Sequence, residues 1–203
     1  MLFLGGCNFR CSFCHNHPLV LEPDKLVSYP MNEIVEKLMP LKKWLGGVCI
    51  SGGEPTLDNH LSEILRTLRR EGYSLKIDTN GSNPEILAEI IEEELLEMVS
   101  MDVKAPLVQE KYDKCAGIAV DLDKVKESIT IIKQSGLDHE FRMTVLPGYH
   151  TCEDIVNWAE MLEGSSRLKL QNFDPKSAMD PALAGDRGFP PDEFVELEKL
   201  ILL

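Results

Sequence analysis

The sequence predicts an α/β protein: a parallel sheet rolled part-way into an open, partial (β/α)6 barrel of the TIM type. Three observations lead there. Short apolar, β-branched runs alternate with amphipathic stretches along the whole chain, the pattern of βα units. Six such units fit into about 170 residues, and the full 203 fall short of the ~250 that a closed eight-fold barrel takes. The unusual residues cluster at the C-terminal ends of the strands, where such folds place their chemistry. A chain of this length suits one domain, residues 1–203, with a core of its own.

The first strand is residues 1–5, an apolar run that leads into Gly5-Gly6. The second, 47–51, leads into Gly52-Gly53-Glu54-Pro55, after which Leu57, Leu61, Ile64, Leu65 and Leu68 recur at helical spacing. The third, 74–78, ends in Thr79-Asn80-Gly81. Asn83 then reads as a helix N-cap, with Pro84 at the first helical position. The fourth strand, 98–103, is followed by Lys104-Ala105-Pro106 and by a helical stripe of Leu122, Val125, Ile129 and Ile132. The fifth, 141–145, closes on Pro147-Gly148, and Thr151 with Asp154 resembles a capping box. The sixth is 168–171. Residues 175–190, rich in Pro, Ala, Gly and Asp, read as a loop, and 191–203 as a C-terminal helix with Phe194, Leu197 and Ile201 inward.

The formal net charge is −13, from 34 acidic against 21 basic residues, which argues against nonspecific nucleic-acid binding. Acidic runs such as Glu92-Glu93-Glu94 are solvated helix faces. No apolar stretch approaches the roughly 20 residues of a membrane span. Met1 opens directly on a strand, without the basic start of a signal peptide, so the expected location is cytoplasmic with no membrane partner. In such a chain six cysteines argue for metal or redox chemistry over a disulfide framework. Cys49 reads as core, Cys115 and Cys152 as lone thiols without a metal role, and Trp44 and Trp158 as helix packing residues.

Cys7, Cys11 and Cys14 place three thiols in eight residues. Three is odd and the neighbours are too close for unstrained bridges, so disulfides are excluded as the full account. Three thiolates on a four-iron cluster would leave one iron open, as catalytic metal sites do. A zinc site or buried inert thiols would show the same spacing. At the second strand's end, Gly52 and Gly53 permit close backbone approach or positive φ, and Glu54 offers a carboxylate to an ammonium. Asp78 and Asn80 end the third strand. Asp102 and Lys104, two apart, share one face at the end of the fourth, as either a ligand site or a structural ion pair.

The spacing C-x3-C-x2-C, followed about 40 residues later by GGE, resembles the signature of the radical S-adenosylmethionine (radical SAM) superfamily. That resemblance implies that Cys7, Cys11 and Cys14 hold a 4Fe-4S cluster whose open iron binds S-adenosylmethionine. One electron from the cluster would then cleave the sulfonium to methionine and a 5′-deoxyadenosyl radical. It implies that Gly52, Gly53 and Glu54 meet the cofactor's amino group. The segments FLGGCNFRCSFCHN, ISGGEPTL, IDTNG, SMDVKAP, FRMTVLPG and LQNF together resemble glycyl-radical-enzyme activating proteins. Those of anaerobic ribonucleoside-triphosphate reductase come nearest, with their pyruvate formate-lyase counterparts.

By this resemblance Asp78 and Lys104 contact the cofactor's ribose and carboxylate, Asn80 and Asp102 belong to the same cofactor-binding set, and the stretch 144–148 and Gln171 lie near its adenosine. No catalytic side chain beyond cluster and cofactor is implied. The expected reaction is hydrogen abstraction from a glycine of a partner glycyl-radical enzyme, with reduced flavodoxin or ferredoxin as electron donor. The alternatives are a radical SAM enzyme acting on a small molecule, as in deazapurine synthesis, and a non-catalytic cluster- or zinc-binding module. His15 and His17 are expected beside the cluster loop without a ligand role. Only six residues precede Cys7, fewer than members of this group usually carry, and the chain stops on Ile201-Leu202-Leu203, so truncation is expected.

Overall fold

The computed structural model describes residues 1–202, and of residues 177 and 184 the backbone only. Six strands form one sheet: β1 (Leu2–Leu4), β2 (Val48–Gly52), β3 (Leu75–Thr79), β4 (Met98–Asp102), β5 (Asp138–Val145) and β6 (Leu168–Asn172). Each pairs in parallel with the next, in the order β1-β2-β3-β4-β5-β6, and the sheet stays open between its first and last strands. Between β1 and β2 run α1 (His17–Leu21) and α2 (Met31–Leu38). The later crossovers carry α3 (Leu61–Arg70), α4 (Pro84–Glu92), α5 (Gln109–Ala116), α6 (Leu122–Gln134) and α7 (Cys152–Met161), and α8 (Pro191–Lys199) follows β6.

Strand alternation sorts the side chains into two layers. Ile50, Leu75, Ile77, Val99, Met101, Phe141 and Met143 are buried on the helix-covered side. The other face carries Cys49 and Ser51, Lys76 and Asp78, Ser100 and Asp102, Glu140, Arg142 and Thr144, and Gln171. Closed barrels fill this interior with branched apolar side chains. Here the interior is polar, so the open barrel encloses a chamber where a core would otherwise stand.

Trp158 of α7 is wholly buried and its indole N–H donates to Val103 O at 3.1 Å, pinning α7 behind the end of β4. Trp158→Ala is therefore expected to cost about 3–5 kcal/mol, read as a lower denaturant midpoint. The expected capping box is present: Thr151 Oγ1 accepts from Asp154 N–H at 3.1 Å, and Asp154 Oδ2 accepts from Thr151 N–H at 2.9 Å.

Several expectations are corrected. Leu57 belongs to a separate 3-10 turn, Pro55–Leu57, and α3 begins only at Leu61. Asn83 is the N-cap residue of α4 with Pro84 at the first helical position, as expected, but its side chain makes no capping bond and its amide donates instead to Thr56 Oγ1 at 2.9 Å. Trp44 is 87% exposed, because the turns after α2 carry it away from the core. Cys49 is only half-buried, since alternation turns it into the polar chamber with Lys76 Nζ 4.0 Å away. Residues 175–190 hold two 3-10 turns, Pro175–Ser177 and Pro181–Gly185, and α8 ends at Lys199; Leu203, the end of the expected helix, lies outside the described residues. The sequence reading missed α1, α2 and α5. The first two are short or bury almost nothing, and α5 buries only Tyr112, Cys115 and Ala116, too few for a visible stripe.

Candidate functional site

The loop that carries Cys7, Cys11 and Cys14 leaves β1 at Gly5 and is held from several sides. Gly53 N–H donates to Leu4 O at 2.9 Å and Glu54 N–H to Gly6 O at 2.8 Å. Gly52 has φ +130, and a Cβ on Gly52 or Gly53 would strike the carbonyl oxygens of Leu4 or Gly6. The paired glycines are thus required by close packing of two backbones, a role beyond the ligand approach expected of them. On the opposite side Arg10 N–H donates to Ala116 O at 2.7 Å, the last turn of α5. Asp180 N–H reaches Ser12 O at 2.8 Å, and His15 Nε2 bonds Asp174 O at 2.7 Å. The stretch read as a plain loop therefore covers the thiol segment.

All the predicted site residues line one cavity of about 420 Å³, within the size range of small-molecule sites. The three thiols form one wall. Gly52, Gly53 and Glu54 come from the end of β2, Asp78 and Asn80 from β3, Asp102 and Lys104 from β4, and Gln171 from β6 beside Thr144. Arg142 of β5 lines it too and was not foreseen; a lone arginine between the apolar residues of FRMTV was the available signal.

Arg142 links the acidic groups. Its Nε donates to Asp102 Oδ1 at 2.8 Å and its Nη1 stands 3.5 Å from Asp78 Oδ2. Lys104 Nζ donates to Asp102 Oδ2 at 3.1 Å and Lys76 Nζ to Asp78 Oδ1 at 2.5 Å. Burial alone would raise the Asp102 carboxyl, but Lys104 and Arg142 outweigh it and hold it below the usual range. Burial would likewise lower Lys104, and Asp102 reverses that, so the ammonium stays charged. The result is a set of three cations around two carboxylates, in which Asp102 and Lys104 do share one face.

Glu54 is buried, and its carboxylate is already used inside the protein. Oε1 accepts from Thr56 N–H (3.2 Å), Thr56 Oγ1 (2.6 Å) and Thr79 Oγ1 (2.7 Å), and Oε2 from Asn80 N–H (2.6 Å). Burial pushes this carboxyl up, and the four donors oppose that. Glu54 therefore ties the end of β2 to the end of β3. Asn80 donates in turn to Asn8 Oδ1 at 3.0 Å, beside Cys7.

Burial raises all three thiols, Cys11 to about 11. Without a metal they are protonated, and ligation must expel those protons. Among the described residues no three His, Cys, Asp or Glu side chains converge tightly enough to hold a single metal ion. Three thiols lining one cavity have the donor chemistry of an iron–sulfur ligand set. No helix among the described residues is long and apolar enough to cross a membrane.

Fold and site together define an open partial barrel with three thiols on one wall of a polar cavity. The model of the radical SAM superfamily matches residues 1–162. The chain belongs to that superfamily, whose members use a 4Fe-4S cluster and S-adenosylmethionine. A "putative glycyl-radical enzyme activating enzyme" of Methanocaldococcus jannaschii is 33% identical over 183 residues, covering 89% of this chain and 75% of its own length. A 7-carboxy-7-deazaguanine synthase of Neisseria meningitidis is 38% identical over 82 residues, covering 40% of this chain and 35% of its own. Streptococcus suis SuiB, solved with S-adenosylmethionine bound, superposes with a TM-score of 0.78 at 15% identity, over 98% of this chain and 45% of its own. The chain thus spans under half the length of that structure, and at such identity the likeness is one of fold.

Proposed function

We propose that this chain is one radical SAM domain, 1–203, which activates a glycyl-radical enzyme by removing hydrogen from a glycine Cα of that partner. The observation that carries the reading is the meeting, in one cavity, of Cys7, Cys11 and Cys14 with the fixed cation Lys104 and the carboxylates Asp78 and Asp102. The archaeal relative, similar over most of both chains, supports the activating role. When bound, the cluster and S-adenosylmethionine supply the radical chemistry, and the protein supplies binding, orientation and exclusion of water.

The three cysteines hold the cluster as thiolates. Lys104, kept cationic by Asp102, pairs with the cofactor's carboxylate. Glu54 Oε2, which among the described residues accepts from Asn80 alone, keeps room for the amino group together with the Gly52-Gly53 backbone. Asp78 and Asn80 hold the ribose, and Thr144 and Gln171 lie along the adenosine. The electron comes from reduced flavodoxin or ferredoxin in the cytoplasm, and the open side of the barrel admits the partner's glycine segment.

Lys104→Ala is expected to leave iron content unchanged, because the thiol loop is anchored elsewhere, and to weaken S-adenosylmethionine binding about 10- to 100-fold. Equilibrium binding to the reconstituted variant reads this directly; unchanged affinity removes Lys104 from the cofactor site. Arg142 keeps Asp102 partnered in this variant.

The function itself is tested by mixing the reduced, reconstituted protein and S-adenosylmethionine with each glycyl-radical enzyme of its source organism. A glycyl-radical EPR signal on a partner supports the reading. The deazaguanine synthase relative and the polar barrel interior favour a second reading, action on a small polar molecule. Turnover of S-adenosylmethionine that depends on such a molecule, with no glycyl radical on any partner, would establish it instead.

A further inference from the structure

Strand β4 ends at Asp102, and Val103 N–H still donates to Arg142 O of β5 at 2.9 Å. Lys104 is the next residue, past the end of the sheet, and a side chain takes over its carbonyl there. His150 Nε2 lies 2.9 Å from Lys104 O. His150 stands in the turn between β5 and α7 and is 5% exposed. It does not itself line the cavity, whereas Lys104 does. A buried imidazole thus holds the backbone of the residue that presents the site's fixed cation.

The place of the ring proton follows from its two backbone partners. Leu146 N–H can only donate, and it donates to Nδ1 at 3.2 Å, so Nδ1 carries no proton. The proton of the neutral ring is then on Nε2, and Lys104 O can only accept it. One tautomer satisfies all three groups. The His150 N–H also donates to Leu146 O at 3.1 Å, so the turn is clasped twice and the ring is fixed in place. Burial pushes the imidazole below its ordinary value, which keeps it uncharged at neutral pH. Cys115 Sγ packs 3.5 Å from Nε2, and burial pushes that thiol up to about 12.

We propose that His150 is a positioning residue of the cofactor site: its Nε2–H···O bond fixes the Lys104 backbone, and with it the ammonium that meets the cofactor's carboxylate. The inference rests on the reading of Lys104 as the partner of that carboxylate. Asp102 Oδ2 accepts from Lys104 Nζ at 3.1 Å, so this long side chain is held at its tip by Asp102 and at its root by His150. A lysine ammonium rides on a flexible four-carbon stem, and ordering it costs conformational entropy. Fixing both ends in the folded protein leaves less of that cost to binding.

The test is a double-mutant cycle on S-adenosylmethionine affinity, read by equilibrium binding to the reconstituted proteins: wild type, His150→Asn, Lys104→Ala and the two combined. Asn keeps an acceptor near the place of Nδ1 for Leu146 N–H but is too short to reach Lys104 O. His150→Asn is expected to leave iron content unchanged and to weaken binding about tenfold, the scale of one hydrogen bond. On the Lys104→Ala background the same change should weaken binding less than about twofold, because its route runs through the missing ammonium. His150→Gln, whose longer amide can donate to Lys104 O, should bind within about threefold of wild type. NMR of the ring nitrogens in the oxidised, reconstituted protein should show His150 neutral, with its proton on Nε2. Wild-type affinity in His150→Asn would overturn the proposal, and so would a His150 proton on Nδ1. An equal loss in both backgrounds would overturn it too, because a merely structural role acts whether or not the ammonium is present. Unchanged affinity in Lys104→Ala alone overturns the reading of Lys104 itself, and this proposal with it.

Discussion

Cys11→Ala is expected to yield folded protein that assembles no 4Fe-4S cluster. The chain offers three thiols to the cavity, and iron–sulfur clusters are usually held by four thiolates, so a centre already short of one protein ligand has none to spare. The remaining thiols lie elsewhere: Cys49 on the inner face of β2, Cys115 buried in α5, Cys152 exposed at the start of α7. Fold survival is expected because the loop is anchored by backbone bonds at Gly6, Arg10 and Ser12, none of which uses the Cys11 side chain. Losing one small buried side chain costs about 1 kcal/mol. Iron analysis after anaerobic reconstitution, beside a circular dichroism spectrum, separates ligand loss from unfolding. Wild-type iron content in the variant would remove Cys11 from the ligand set.

Gly53→Ala is expected to be nearly as damaging, although it removes no ligand. Its Cβ would lie inside the contact distance of the Gly6 carbonyl oxygen and against Cys7 N. Both neighbours are backbone, so no side-chain rotation can relieve the clash. Either the end of β2 or the start of the thiol loop must move, and with it the bonds Gly53 N–H to Leu4 O and Glu54 N–H to Gly6 O. We expect a loss of about 1–3 kcal/mol in stability and a large drop in iron loading, since the displaced segment carries Cys7. Gly46→Ala is the control, as nothing lies within 4 Å of its added Cβ, and it should stay within ±0.5 kcal/mol of wild type. If Gly53→Ala loads iron as well as Gly46→Ala does, the paired glycines are not what places the loop.

The two variants separate two kinds of information. The thiol spacing is local: three thiols within eight residues mark the proposed metal loop without any knowledge of the fold. The glycine pair was visible as a motif, but its packing against Gly6 joins positions almost fifty residues apart, and only the parallel register of β1 with β2 brings them together.

What the residues by themselves determined is the set of chemically distinctive groups and the alternation that forms six parallel strands. Periodicity in β strands is two, so Asp102 and Lys104 could be assigned to one face before any contact was known. Local capping at Thr151 and Asp154 was equally legible, because both partners lie within one helical turn. What only the tertiary structure decided is how those groups are spent. Glu54 reads in sequence as a free carboxylate, yet four donors from β3 and the turn after β2 consume most of it. Arg142 reads as one charged residue in an apolar strand, yet it bridges the carboxylates of β3 and β4. Trp44 reads as a helix packing residue and is exposed, while Tyr112 carries no motif and is wholly buried. Hydrogen bonding and burial depend on which distant segments share a space, and a linear pattern reports only neighbours along the chain.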